Sequence, residues 1–320
     1  MSNINDFVIE SGVLRKYSGT DSVVEIPKGV TTIGSDCFFN CVSMKTVKIP
    51  DTVETVEKFA FFGCTSLMKI DLPESVTYIG QASFGNCENL KEFVLPNSLE
   101  TLCSRAFERC SSLVSINIPE SLDSIPAYCF QFCTSLDNVA FPSSLKRIAV
   151  GAFLGCDALS CVTIPEDISF NNEWTYRNKD GAFKWCSGLK SLTLHCPFDA
   201  IDTQCFEGCK NLREVFVPAE YAINNTAWWK ERFAPEAFDV IALENFDKTA
   251  SLTKFVVKDR AKCIKSLIAK DRLDLISKVF EYSSKPTVKI FDEILEEISS
   301  TQCEKAIEIL LEYKNANYKK

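Results

Sequence analysis

A repeat of 23 residues is the feature of this 320-residue chain that most restricts its fold. Cysteines recur at that step, each three residues after a phenylalanine and four after a small residue. They are Cys41, Cys64, Cys87, Cys110, Cys133 and Cys156 and, after seven extra residues, Cys186 and Cys209. Prolines keep the same step at Pro27, Pro50, Pro73, Pro96, Pro119, Pro142 and Pro165. Such a period is typical of solenoids, in which stacked units share one core.

The unit from Cys64 to Cys87 shows how one repeat folds. Its segment L-M-K-I-D-L nearly alternates, which predicts a short strand that Pro73 ends because proline has no N–H for a ladder. Val76 and Ile79 predict a second extended edge, after which the phenylalanine and the cysteine turn the chain back. A residue such as Asn86, directly before the cysteine, suits a turn with positive φ.

The pattern L-x-x-V-x-I-P…I-G…A-F-x-x-C resembles the BspA-like, treponemal-type leucine-rich repeats over about residues 7–218. The resemblance implies an α/β repeat solenoid, a right-handed leucine-rich stack with short strands. It also implies a capping hairpin within 1–26, an array over 27–218 with an insertion near 168–178, and a cap over 219–244 that includes Trp228 and Trp229. The resemblance further implies a role in the recognition of proteins or cell surfaces.

Residues 245–320 lack the repeat and instead carry apolar residues at helical spacing. We expect helices over about 247–257, 260–269, 272–282, 287–299 and 302–315, the fourth starting near Pro286. The segments 276–282 and 307–313 echo each other and resemble degenerate ankyrin-type helix pairs. A plain helical hairpin bundle is the alternative for this all-α segment.

The chemistry-bearing residues argue against an enzyme. The sixteen cysteines are accompanied by one histidine, His195, and no nucleotide-binding or hydrolase motif occurs. Buried free thiols are the favoured interpretation; disulfides and a metal site built on C-x-x-x-C pairs are the alternatives. A nucleophilic pair of His195 with Cys196 is disfavoured against an exposed turn histidine. We therefore expect no catalytic residue, metal or cofactor.

Two surfaces are candidates for binding. One is the exposed strand face. Equivalent positions of successive repeats are here called a column, and the variable column of this face includes Lys48, Asp71, Asn117, Thr163 and Phe216. The other is the insertion, where aromatic residues and an arginine are typical of contact hot spots: Trp174, Tyr176 and Arg177. The alternatives are an ordinary solvated face and an insertion in which Phe170 and Trp174 fold back over the stack.

These patterns predict a non-catalytic protein–protein interaction scaffold, and the alternative is a cell-surface adhesin. We expect a protein partner of unknown identity, and the oligomeric state stays open. The net charge of −8 argues against nucleic acid, and no apolar run is long enough for membrane insertion. The first residues lack the features of a secretory signal, and the thiols favour a reducing compartment, so we expect a cytoplasmic protein, with the cell surface as the alternative.

Overall fold

The repeats fold as a β-solenoid in which each unit makes one turn, here called a rung. The computed structural model describes residues 3–170, 180–196, 201, 204–212, 214–216, 260–269, 271–281 and 286–318. The predicted leucine-rich solenoid with short strands is confirmed.

A hairpin covers the first rung, as predicted from Phe7 to Tyr17. After a 3-10 turn at Ile4–Asp6, strand β1 (Phe7–Glu10) pairs antiparallel with β2 (Val13–Tyr17), and β2 continues in parallel with the first rung. The Tyr17 ring lies 5.0 Å from Phe7 and 5.2 Å from Phe38. The hairpin therefore shields the end of the core from water.

Each rung contributes a strand before its proline position and most contribute a second one after it. The first series is β3 (Val23–Glu25), β5 (Thr46–Lys48), β7 (Lys69–Asp71), β9 (Glu92–Phe93), β11 (Ser115–Asn117), β13 (Asn138–Ala140), β15 (Cys161–Ile164), β16 (Ser191–Leu194) and β17 (Glu214–Phe216). The second series is β4 (Thr32–Ile33), β6 (Thr55–Val56), β8 (Tyr78–Ile79), β10 (Thr101–Leu102), β12 (Ser124–Ile125) and β14 (Arg147–Ile148).

Strands pair in parallel within groups of rungs, and equivalent positions of paired strands face each other. The first series forms the sheets β3–β5–β7, β9–β11–β13 and β15–β16–β17, and the second forms β2–β4–β6–β8–β10 and β12–β14. Val47 pairs with Ile70 in the first series, and Ile33 pairs with Val56 in the second. The central residue of a first-series strand points into the core while its neighbours point to solvent. This alternation explains why the inner columns are apolar and the outer ones vary.

The repeated phenylalanines form a continuous ladder in the core. Consecutive rings stack with centroids 4.9–5.5 Å apart and planes within 2–16° of parallel. All eight are fully buried: Phe38, Phe61, Phe84, Phe107, Phe130, Phe153, Phe183 and Phe206. Because each ring meets the next rung, burial couples neighbouring units.

The turn around each phenylalanine is fixed by bonds to the next rung. The N–H of Phe61 donates to the carbonyl of Ser83, and that of Gly63 donates to Gly85, at 2.7 and 2.8 Å. The predicted positive φ directly before the cysteine is confirmed, with 72° at Gly63 and 57° at Asn86. A second left-handed position, four residues earlier, was not predicted.

The C-terminal residues that the structure describes are helical. The helices are α1 (Arg260–Ala269), α2 (Lys278–Glu281), α3 (Val288–Ser299) and α4 (Glu304–Asn317), and α3 packs against α1 and α4. The single helix expected over 272–282 is wrong, because a 3-10 turn at Leu273–Leu275 precedes the short α2. There Asp271 has a φ of 56°, and the Arg272 guanidinium donates to both carboxylate oxygens of Asp274.

Several predicted features lie outside the described residues. These are most of the insertion near 168–178, the cap over 219–244 with Trp228 and Trp229, and the helix over 247–257. At the start of the insertion Phe170 is buried and its ring lies 6.5 Å from Phe183, as the folding-back alternative predicted for that residue. The domain boundaries and the ankyrin-type interpretation stay predictions.

Candidate functional site

The predicted strand face consists of the outward side chains of the first strand series. Lys48, Asp71 and Thr163 are exposed there, and Lys48 and Asp71 are register partners on β5 and β7. The Asp71 carboxylate also accepts from Lys69 at 3.2 Å. Phe216 pairs with Thr193 in the backbone register, and its side chain is outside the description. The face therefore combines opposite charges with small polar groups.

Asn117 differs from the other predicted residues because its amide serves the frame. Its Oδ1 accepts from the Leu95 N–H at 2.9 Å, and its Nδ2 donates to the Leu95 carbonyl at 3.0 Å. The side chain thus supplies the hydrogen bonds that a longer β9 would receive from a neighbouring strand. Both ends of the amide are engaged, so this residue contributes to the strand face chiefly as a structural clamp.

The second predicted surface cannot be placed. Trp174, Tyr176 and Arg177 fall within 171–179, outside the described residues. Their role in binding stays a prediction.

A groove that the sequence did not reveal lies beside the second strand series. Its volume is about 1010 Å³, and it crosses five rungs between the second strands and the turns before the buried phenylalanines. The lining residues are Ser35, Thr55, Glu57, Lys58, Tyr78, Gln81, Leu102, Cys103, Ser104, Arg105, Pro126, Ala127 and Tyr128. The missed signal was the presence of large side chains in columns that other rungs fill with small or polar residues.

Tyr78 stands in the middle of the groove and is 37% exposed. The Cys103 thiol donates to its phenol oxygen at 3.4 Å. This contact, burial and the negative charge of Glu57 together raise the pKa of Tyr78 to about 12. The phenol therefore keeps its proton at neutral pH and can donate a hydrogen bond.

Arg105 and Tyr128 form the wall at the far end. The guanidinium carbon of Arg105 lies 4.6 Å from the centre of the Tyr128 ring, a cation–π contact. Arg105 also donates to Glu108 at 2.9 Å, and the Tyr128 hydroxyl donates to Asp180 at 3.3 Å. These contacts hold the guanidinium plane in a defined position along the groove.

The near end carries one engaged carboxylate and one unpaired ammonium. The backbone N–H and the hydroxyl of Ser35 both donate to the same oxygen of Glu57 at 2.8 Å. Lys58 is exposed and forms no ion pair with the residues that the structure describes. With Arg105, the lining therefore carries two cations and one carboxylate.

The repeated cysteines are part of the frame. All sixteen are free, and the thiol of Cys87 donates to the carbonyl of Phe61, one rung earlier, at 3.3 Å. Equivalent bonds join six further thiols to phenylalanine carbonyls: those of Cys64, Cys110, Cys133, Cys156, Cys186 and Cys209. Burial raises the pKa of the Cys87 thiol well above its usual range. Such thiols are poor nucleophiles and poor metal ligands.

The sequence alternatives of a nucleophilic pair and a metal site gain no support from the described residues. Burial raises the pKa of Cys196 to about 11, so it is a weak nucleophile beside the exposed His195. Within the described ranges no group of histidine, cysteine or acidic residues is arranged to hold a metal ion. No helix in the same part of the chain is both long and apolar enough to span a membrane.

The chain is similar to known repeat proteins. The model of the BspA type leucine rich repeat region matches in six copies, over residues 9–113, 62–180, 100–234 and 178–268. A leucine rich cell surface protein from Faecalibacterium prausnitzii is 24% identical over 66% of this chain, with a TM-score of 0.42. The match spans 62% of that protein, which is less than two thirds of its length.

Two other solved structures show comparable similarity. A leucine-rich repeat protein from Bacteroides ovatus is 23% identical, over 76% of this chain and 78% of that one, with a TM-score of 0.40. A leucine rich repeat protein from T. pallidum is 27% identical, over 67% and 81%, with a TM-score of 0.37. No curated protein matches the sequence.

Proposed function

Since this chain belongs to the BspA-type leucine-rich repeat family, we propose that it is a non-catalytic scaffold that binds a protein partner through variable outward residues of a rigid solenoid. The observation that carries the proposal is the division between constant and variable columns. The inward positions repeat the same apolar residues, while the outward positions of the first strands change from Lys48 to Asp71 to Val94. Packing fixes the inward residues, whereas the frame does not require the side chains of Lys48, Asp71 or Val94.

The rigidity of the frame supports this role. A partner that binds an already ordered surface avoids the loss of conformational freedom that a flexible loop would impose. Val94 is 67% exposed on the same side as Lys48 and Asp71, so an apolar group lies among charged ones. Surfaces that mix apolar and charged groups are common in transient protein–protein interfaces.

A reducing compartment is the proposed setting. It is supported by the sixteen free thiols, twelve of which are buried, since such thiols persist where disulfides do not form. The alternative of a surface adhesin would be favoured if the chain captured proteins of a host cell surface.

A matched pair of variants tests the strand face in the full-length chain. Lys48→Ala with Asp71→Ala removes one cation and one anion from adjacent rungs of the face. Lys28→Ala with Asp51→Ala does the same on the exposed turns beside it. Cross-linking and affinity capture from the native host should yield a partner with the wild type and the turn variant, and lose it with the face variant. Equal capture by both variants would overturn the strand face as the binding surface.

A further inference from the structure

The direction of the groove limits what it can bind. It extends from the rung of Ser35 to that of Tyr128, which are four rung spacings apart, or about 19 Å at the usual strand separation. Because it follows the stack, a chain lying in it crosses the strands at a steep angle. Such a ligand cannot extend a sheet, so side chains must recognise its backbone.

The charged groups that line the groove are two cationic donors, Lys58 and Arg105, and one carboxylate acceptor, Glu57. Donor groups are the Lys58 ammonium, the Arg105 guanidinium, the Gln81 amide and the hydroxyls of Tyr78 and Ser104. The lining carboxylate, Glu57, already accepts two hydrogen bonds from Ser35. A complementary ligand therefore presents acceptors at short intervals and few N–H groups of its own.

A proline-rich segment has these properties. Proline lacks the backbone N–H, and the polyproline II helix leaves every carbonyl free for an outside donor. Its three residues per turn at 3.1 Å each give a repeat of about 9.3 Å, close to two rungs at about 9.6 Å. About six residues, or two turns, would fill the groove's length. The helix is also pre-organised, so little conformational entropy is lost when it binds.

We propose that this groove binds a proline-rich segment of the protein partner in the polyproline II conformation, with proline rings against the Tyr78 ring and the Arg105 plane. Tyr78 supplies an exposed flat surface with a donor at its edge. The Arg105 guanidinium lies over the Tyr128 ring, and both residues line the far end of the groove. The Lys58 ammonium and the Ser104 hydroxyl are placed to donate to the carbonyls between the prolines. This inference rests on the proposed scaffold function and adds the chemistry of the partner.

The test measures the binding of a capped proline decamer to the full-length chain by calorimetry or fluorescence anisotropy. A glycine–serine decamer and a glutamate decamer are the control peptides. The proline decamer should bind saturably, and Tyr78→Ala should weaken it about tenfold or more through loss of the ring contact and one hydrogen bond. Tyr78→Phe keeps the ring and should show a smaller loss. Trp185→Ala, which removes an exposed aromatic ring outside the groove, should leave the affinity within about twofold.

The outcomes separate this inference from the scaffold function. No binding of the proline decamer at millimolar concentration, or equal binding of the glycine–serine peptide, would overturn the inference. Tighter binding of the glutamate decamer would assign the groove to acidic segments and overturn it as well. If Tyr78→Ala still captures the native partner while the Lys48 and Asp71 variant loses it, the groove inference fails and the scaffold stands. If Tyr78→Ala loses the partner while the Lys48 and Asp71 variant keeps it, the strand-face proposal fails and the groove inference stands.

Discussion

We expect the buried thiols to make the stability of this protein sensitive to alkaline pH. Burial raises the pKa of ten buried thiols: Cys37, Cys64, Cys87, Cys110, Cys129, Cys133, Cys156, Cys186, Cys196 and Cys209. The pKa of a thiol in an unfolded chain is about 8.5. Burial in the folded chain raises the pKa of Cys64 and Cys110 to about 12. The unfolded state therefore binds fewer protons above pH 8.5, and the free energy of unfolding falls as pH rises.

The size of the effect follows from the number of thiols. Each one lowers the free energy of unfolding by about 1.4 kcal/mol per pH unit once pH exceeds its unfolded pKa. If all ten unfold together, the slope is on the order of 10 kcal/mol per pH unit, comparable to the total stability of an ordinary domain. We expect the array to unfold between about pH 9 and 10, before most lysines and tyrosines titrate.

Urea unfolding, monitored by circular dichroism at several pH values from 7 to 9.5, measures the slope of the free energy of unfolding against pH. The buffer contains a reductant without a thiol group. Cys110→Ala should reduce the slope by about 1.4 kcal/mol per pH unit, because a fully buried thiol is removed. Cys161→Ala is the control, since this thiol is exposed. A free energy of unfolding that stays constant from pH 7.5 to 9.5 would refute the argument. A smaller but definite slope would give the number of thiols in each cooperative unit.

Three other experiments test the packing and the state of the thiols. The hydroxyl of Ser83 is fully buried with no hydrogen-bond partner, in a column that holds Ala60 and Ala106 in the adjacent rungs. Ser83→Ala should therefore raise the free energy of unfolding by about 1–2 kcal/mol, and Ala106→Ser should lower it; a loss of stability in Ser83→Ala would contradict this reasoning. Phe107→Ala removes a ring stacked 5.4 Å from Phe84 and 5.5 Å from Phe130, and should lower the free energy of unfolding in urea by about 3–5 kcal/mol. An unchanged urea midpoint would contradict a stabilising role for the phenylalanine stack. A thiol titration should find Cys161 first in the native chain and all sixteen cysteines in urea without reductant, whereas a smaller total would show disulfides.

The sequence was sufficient to predict the frame because stacking makes each buried column repeat. Phe107 lies where Phe84 does, one rung later, so a single period identified the rings, the first strands and the turn at Asn86. The same reasoning predicted buried thiols. It did not show that the Cys87 thiol bonds a carbonyl of the preceding rung, because a period gives spacing along the chain and not the path of the backbone.

The groove could not be predicted for a related reason. Most of its residues occupy positions that vary from repeat to repeat, and which of them lie side by side depends on how the rungs stack. Tyr78 and Cys103 are 25 residues apart in sequence, and they meet only because adjacent rungs place them side by side. The break in the helix expected over 272–282 likewise depends on a local contact, the pairing of Arg272 with Asp274, that helical periodicity does not report.

The second position with positive φ in the repeat, four residues before the first, supplies two residues of the groove wall. Arg105 and Tyr128 have φ values of 61° and 57°, a conformation that costs a residue with a side chain roughly 1–2 kcal/mol. Glycine would avoid this cost, yet it would leave the groove without its far wall. The backbone holds the conformation because the N–H of Arg105 donates to Ala127 and that of Tyr128 donates to Val150, each at 3.0 Å. Bonds between rungs thus impose the turn whatever the side chain, and the position is free to carry large groups. A solenoid can therefore change its binding surface at these turns while its core stays the same.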